Sequence, residues 1–100
     1  MKKEINFLNF LFTQIVKKAE SKDRNSYTKK LLKEGKNTIA QKVGEESTEL
    51  IIDYLNGSKK RTIEEASDLI YHLFVLLYSK KIKLSDIEKE LYRRNNVRKK

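Results

Sequence analysis

Two groups of carboxylates, Glu45-Glu46-x-x-Glu49 and Glu65-x-x-Asp68, stand in a chain otherwise dominated by lysine and arginine. There are 23 Lys+Arg against 14 Asp+Glu, for a formal net charge of +9. Half of the acidic residues nevertheless fall between Glu45 and Asp68. Like charges three and four residues apart on a helix repel, so this crowding asks for a counter-charge. A hard divalent cation such as Mg²⁺, which takes oxygen ligands, is the natural one.

Helical geometry sharpens the point. With Glu46 at zero, Lys42 falls at about 320°, Glu49 at about 300°, Asp53 at about 340° and Glu45 at about 260°. Ile39, Val43, Leu50 and Tyr54 fill the adjoining arc from about 20° to 80°. The acids therefore line one edge of a helix beside its core face, whereas a solvated face usually lies opposite the core and mixes its signs. The second segment repeats this. With Glu65 at zero, Asp68 lies near 300° and His72 near 340°, beside Leu69, Leu73, Leu76 and Leu77 at roughly 20° to 120°. Two such edges on antiparallel neighbours meet in one groove, where facing carboxylates need cations between them. Singly, each residue also fits an ordinary role. Glu65 suits N3 of a Thr62-x-x-Glu65 capping box, and Glu46 and Glu49 suit a solvated face. His72 suits a satisfied core histidine, and Lys42 an i,i+4 partner of Glu46.

The elements that must hold these groups read as helices throughout. The expected order is Ile5 to about Ser21, with Phe7, Leu8, Leu11, Phe12 and Ile15 as its apolar stripe, then Tyr27 to Glu34 closed by Gly35. A long helix follows from a Thr38-x-x-Gln41 capping box to Asn56-Gly57. After a basic loop, Ser58 to Arg61, a second long helix runs from Thr62 to about Lys80. A last helix starts at Ser85-x-x-Glu88 and reaches about Arg94, with a fraying tail from Asn95. The fold class is all-α, with four to five helices and the two long central ones antiparallel. One domain spans residues 1–100, divided into an N-terminal helix and loop (1–26), a motif-bearing core (27–94) and a basic tail (95–100).

Composition narrows the class further. With no Pro and three Gly, the chain lacks the punctuation of an all-β fold. Zero Cys excludes disulfides and thiolate metal sites and fits a reducing cytoplasm. Met1-Lys2-Lys3 leads into a stretch broken by Asn6, Asn9 and Gln14, unlike a signal peptide. The longest apolar run, Leu69 to Tyr78, contains His72 and falls far short of the ~20 residues of a membrane span. Lysines are spread along the chain, with Lys59-Lys60-Arg61 and Arg98-Lys99-Lys100 as the clusters. That distribution points to a solvated surface or to attraction for an anionic small molecule rather than to nucleic acid.

Ser26-Tyr27-Thr28, Ile39-Ala40-Gln41-Lys42-Val43-Gly44-Glu45-Glu46, Glu49, and Glu65-Ala66-Ser67-Asp68-Leu69-Ile70-Tyr71-His72-Leu73 together resemble the phosphoribosyl-ATP pyrophosphohydrolases of histidine biosynthesis. The resemblance runs from about Tyr27 to Arg94. It extends to the wider all-α nucleoside-triphosphate pyrophosphatase superfamily, whose E-x-x-E…E-x-x-D pattern falls on Glu46, Glu49, Glu65 and Asp68. It departs from the family's pattern at Ser47-Thr48 and Ser67, small residues beside the acids. The resemblance implies Mg²⁺-dependent hydrolysis of phosphoribosyl-ATP to phosphoribosyl-AMP and pyrophosphate by a helical homodimer, here in stand-alone form. Glu46, Glu49, Glu65 and Asp68 are then the expected metal ligands, with Glu45 and Glu46 as candidate catalytic carboxylates. Lys42 and His72 are candidates for substrate phosphate. Two alternatives stand beside this: a house-cleaning dNTP pyrophosphatase using the same cluster, and a basic helical nucleic-acid-binding module.

Overall fold

The computed structural model describes residues 6–23 and 25–98. Five helices follow one another: α1 (Phe7–Glu20), α2 (Tyr27–Glu34), α3 (Lys36–Asn56), α4 (Lys59–Ser79) and α5 (Leu84–Arg98). No strand occurs among the described residues, so the all-α expectation holds. Short polar side chains start several of them by accepting otherwise unpaired N–H groups. Asn6 caps α1 through the Asn9 N–H at 3.1 Å, Ser26 caps α2 through Lys29 at 3.3 Å, and Ser58 caps α4 through Arg61 at 3.0 Å.

Two helix starts differ from the sequence reading. Helix α3 begins at Lys36, without a side-chain cap, because Gly35 ends α2 and opens α3 in a single residue. Its φ of +100° with ψ of 173° is backbone that glycine alone adopts without strain. The Thr38 capping box is therefore not formed. Helix α4 begins at Lys59, so the expected basic loop shrinks to Gly57-Ser58 and Glu65 sits well inside the helix rather than at N3. The Thr62 hydroxyl donates instead to the carbonyls of Ser58 (2.9 Å) and Asp53 (3.2 Å), stitching the α3–α4 hairpin. Helix α4 ends in a Schellman turn, with Ile82 N–H on the Leu77 carbonyl and Lys81 N–H on that of Tyr78, both at 2.9 Å. Lys81 takes the left-handed position at φ 65°, so no glycine marked this stop.

Helix α5 starts at Leu84, one residue before Ser85, with the Asp86 carboxylate accepting the Lys83 N–H at 2.9 Å. It continues to Arg98, beyond the expected end at Arg94. Glu90 gathers both Arg93 and Arg94, i,i+3 and i,i+4 pairs that support its last turns. Ile5, the expected start of α1, and the end of the tail, Lys99-Lys100, lie outside the described residues.

Helices α3 and α4 form an antiparallel hairpin, and α1 and α2 pack on one end of it. The core sits at that end: Phe12 and Ile15 of α1, Leu31 of α2, Ile39 of α3, and Phe74, Val75 and Leu77 of α4. Phe12 meets Phe74 edge-on at 5.3 Å between ring centroids. Leu84 and Ile87 reach this core from α5, but Leu91 and Tyr92 farther along are exposed. The other end of the hairpin is also bare. Ile51, Ile52, Tyr54 and Leu55 of α3 and Ile63 of α4 are all more than half exposed. Tyr54 and Leu73 had been placed on core stripes, and Phe7 and Leu8 on that of α1. All four lie at the surface, Tyr54 on the part of the hairpin that has no helix packed over it among the described residues. The radius of gyration, 15.4 Å, exceeds the ~13 Å of a compact chain this long.

Candidate active site

The carboxylates lie midway along the hairpin, between the filled end and the bare one. Pairing α3 with α4 across a two-residue link brings Glu46 and Glu49 opposite Glu65. One oxygen from each of the three lies within 4.8 Å of the others. Glu65 is 4% exposed, Glu46 is half-buried, and Glu49 sits at the outer rim. Oε1 of Glu46 and Oε1 of Glu65 are buried and have no hydrogen-bond partner among the described residues. A buried carboxylate oxygen without a donor is costly, so these two atoms mark a point of electrostatic stress.

Protonation reflects that stress. Burial pushes the Glu46 carboxyl up from 4.5 to about 7, assisted by a proton shared with Glu65 and by the charges of Asp68, Glu49 and Glu65. Glu49 is raised as well, chiefly by the same sharing with Glu65. When all are ionised no proton remains to share, and the facing oxygens are left without a donor.

One cation already touches the cluster. The Arg61 guanidinium, one turn before Glu65, donates Nη2 to Glu65 Oε2 at 2.6 Å and Nη1 to Glu64 Oε1 at 2.7 Å. Its Nη2 also lies 3.7 Å from Asp53 Oδ2 across the hairpin. Sequence reasoning placed Arg61 in a loop, among several basic residues. The signal for its role was its i,i+4 spacing to Glu65, which becomes visible once α4 starts at Lys59.

The remaining candidates divide. Asp68 is exposed and lies outside the tight group, although its charge acts on Glu46. Glu45 is on the flank, bound by the Gln41 side-chain amide at 2.9 Å and 3.9 Å from Lys42 Nζ. Lys42 thus pairs with Glu45 at i,i+3 rather than with Glu46, and its ammonium also lies near the Tyr27 phenol. The hydroxyls of Ser47, Thr48 and Ser67 all donate to carbonyls of their own helices and stay out of the cluster.

His72 is buried, and both ring nitrogens are engaged within the chain. Nδ1 lies 2.8 Å from the Asp68 carbonyl oxygen, which can only accept, so Nδ1 carries the proton. Nε2 is then the acceptor for the Tyr27 hydroxyl at 2.8 Å. The ring joins α4 to α2 and holds Tyr27, whose own ring stacks on Tyr71 at 6.0 Å. Tyr71 in turn hydrogen-bonds the fully buried Thr28. In this arrangement His72 positions Tyr27 and has no nitrogen to offer a phosphate.

The donor set suits a hard divalent cation. It consists of oxygen alone, carries several negative charges in a small volume, and includes two buried oxygens that lack a donor. Among the described residues no helix is long and apolar enough to cross a membrane.

Residues 10–95 match the family model described as phosphoribosyl-ATP pyrophosphohydrolase. The chain is 47% identical over 89 residues to the phosphoribosyl-ATP pyrophosphatase of Sulfurisphaera tokodaii, covering 89% of this chain and 95% of that one. It is likewise 47% identical over 89 residues to the enzyme of that name from Sulfolobus acidocaldarius, covering 89% of this chain and 94% of that one. With the histidine biosynthesis bifunctional protein HisIE of Bacteroides thetaiotaomicron it shares 45% identity over 92 residues, or 92% of this chain and 45% of that protein. The match takes in both arms of the hairpin and every carboxylate of the cluster, and the chain belongs to the phosphoribosyl-ATP pyrophosphohydrolase family.

Proposed function

We propose that the chain hydrolyses phosphoribosyl-ATP to phosphoribosyl-AMP and pyrophosphate, the step named by its relatives, and that Mg²⁺ is the ion it uses. The observation that carries this reading is the convergence of Glu46, Glu49 and Glu65 with two buried, donorless oxygens. Glu46, Glu49 and Glu65 would hold the cation, and Asp68, outside the tight group, would have to turn inward to join them. When bound, such an ion neutralises phosphate charge and lowers the pKa of a coordinated water. The chain's own groups do the rest. Glu45 would accept a proton from water at the rim, a role supported by its position beside the cluster, where the Gln41 amide holds its carboxylate. The excess of lysine and arginine draws a polyanionic nucleotide toward the acidic groove. The test is pyrophosphate release from phosphoribosyl-ATP and from a panel of dNTPs, each with Mg²⁺ and with EDTA. Release from phosphoribosyl-ATP alone, abolished by EDTA, is expected. Preference for dNTPs would reassign the chain to nucleotide house-cleaning, and activity indifferent to EDTA would remove the metal.

The working form is a homodimer, built by a second copy covering the bare end of the hairpin. Ile51, Ile52, Tyr54, Leu55 and Ile63 are each more than half exposed there, apolar side chains that a second copy would cover. Ile52→Lys should shift the sedimentation coefficient from dimer to monomer at micromolar concentration. An unchanged sedimentation profile would place the interface elsewhere.

A further inference from the structure

Among the described residues, Arg61 is bound to the cluster and lies outside the family pattern of acids. Its guanidinium is half exposed, at 53%, yet its Nη2 grips a carboxylate that is 5% exposed in its side chain. The same fork reaches Glu64 and faces Asp53 of α3, so three carboxylates from both arms of the hairpin share one charge. Arg61 occupies Oε2 of Glu65 and leaves Oε1 without a partner, facing Glu46 and Glu49. Lys59 and Lys60 stand on the same first turn of α4 and are exposed.

Resting on the metal-binding reading above, we infer that Arg61 is an internal counter-cation which substitutes for the divalent ion in the metal-free protein and competes with it for Glu65. A guanidinium beside Glu65 lowers the negative potential that attracts a cation, and the two positive charges repel across a poorly screened gap. The same contact stabilises the hairpin when the cluster holds no ion, because buried carboxylates without a counter-charge repel each other. Arg61 thereby trades metal affinity for a folded, soluble metal-free state. Its exposed stem, at the start of α4, allows it to turn outward when Glu65 is taken by the ion.

Titration of the metal-free protein with Mn²⁺ by calorimetry, and its thermal midpoint in EDTA, test this without recourse to turnover. Arg61→Gln should tighten Mn²⁺ binding roughly tenfold, the loss of one nearby unit charge at intermediate dielectric, and lower the midpoint in EDTA. Arg61→Lys, which keeps the charge, should bind Mn²⁺ within about twofold of wild type, as should Lys60→Gln, which removes an equal charge that does not reach Glu65. Unchanged or weakened Mn²⁺ binding in Arg61→Gln would overturn the inference and leave Arg61 a plain structural ion pair. Tighter binding matched by Lys60→Gln would also overturn it, by showing a general charge effect. If wild type binds no Mn²⁺, or Glu49→Gln binds it equally well, the metal-site reading fails first and the inference falls with it.

Discussion

Glu46→Gln should raise the thermal midpoint of the metal-free protein at pH 8 while lowering metal-dependent pyrophosphate release by at least about a hundredfold. Both effects have one cause. Glu46 carries a buried oxygen with no donor, and its carboxyl is pushed up to about 7 by burial and by Glu65, Asp68 and Glu49. A group whose folded pKa is raised contributes stability that is complete below its unfolded value of 4.5 and is lost as pH rises through about 7. At pH 8 the wild type therefore carries the whole penalty, on the order of 2 kcal/mol after allowance for partial exposure. Glutamine removes the charge, keeps the shape and supplies an amide donor for Glu65. Its advantage should shrink toward zero at pH 4.5, where the wild-type carboxyl is protonated too. Added Mg²⁺ should reverse the order, stabilising the wild type alone. Midpoints at pH 4.5 and pH 8, with EDTA and with Mg²⁺, check all of this. A glutamine variant less stable than wild type at pH 8 in EDTA would refute the account of the cluster as a strained site.

Ile15→Ala tests the opposite part of the molecule. Ile15 is 1% exposed, in the core that α1 shares with α2 and α4, and carries no chemistry. Truncation should cost about 3 kcal/mol through lost burial and the cavity left behind. For a domain of this size that corresponds to a drop of about 10–20 °C in midpoint. Specific activity at 20 °C should stay within about twofold of wild type, since Ile15 lies in the hydrophobic core and the acidic cluster is drawn from α3 and α4. A shift under about 5 °C would mean that α1 is dispensable to the core, and a collapse in activity with folding intact would give α1 a role in the site. Together the two variants separate the filled end of the bundle, which supplies stability, from its middle, which spends some of it on function.

The acidic edges were readable because helical periodicity converts spacing directly into direction. Glu46, Glu49 and Glu65 do converge as that reading required. What misled was local: Thr38 and Thr62 matched a capping pattern, but Gly35 and Ser58 had already started those helices a turn or so earlier. That shift moved Arg61 from a loop into the first turn of α4, and with it the cluster's own counter-charge. Tyr54 and Leu73 lie on apolar arcs that periodicity assigns to a core without saying which molecule completes it. His72 was legible only as a pair of alternatives. Its tautomer depends on the Asp68 carbonyl and on Tyr27, which is 45 residues away, and no local pattern reports that distance.

The Gly57-Ser58 link, so short that it seems incidental, works as a gauge block for the whole site. Asp53 meets Arg61 and Thr62 across it, and farther up the hairpin Glu49 meets Glu65 by the same register. A Cβ on Gly57 would come within 2.6 Å of Asp53 Oδ1 and 3.0 Å of the Asp53 backbone, so the end of α3 leaves no room for a larger residue at this position. A residue added there lengthens the link and relaxes the register of α4 against α3, on which the approach of Glu65 to Glu46 and Glu49 depends. The spacing of the three facing carboxylates thus depends on a turn that none of them touches.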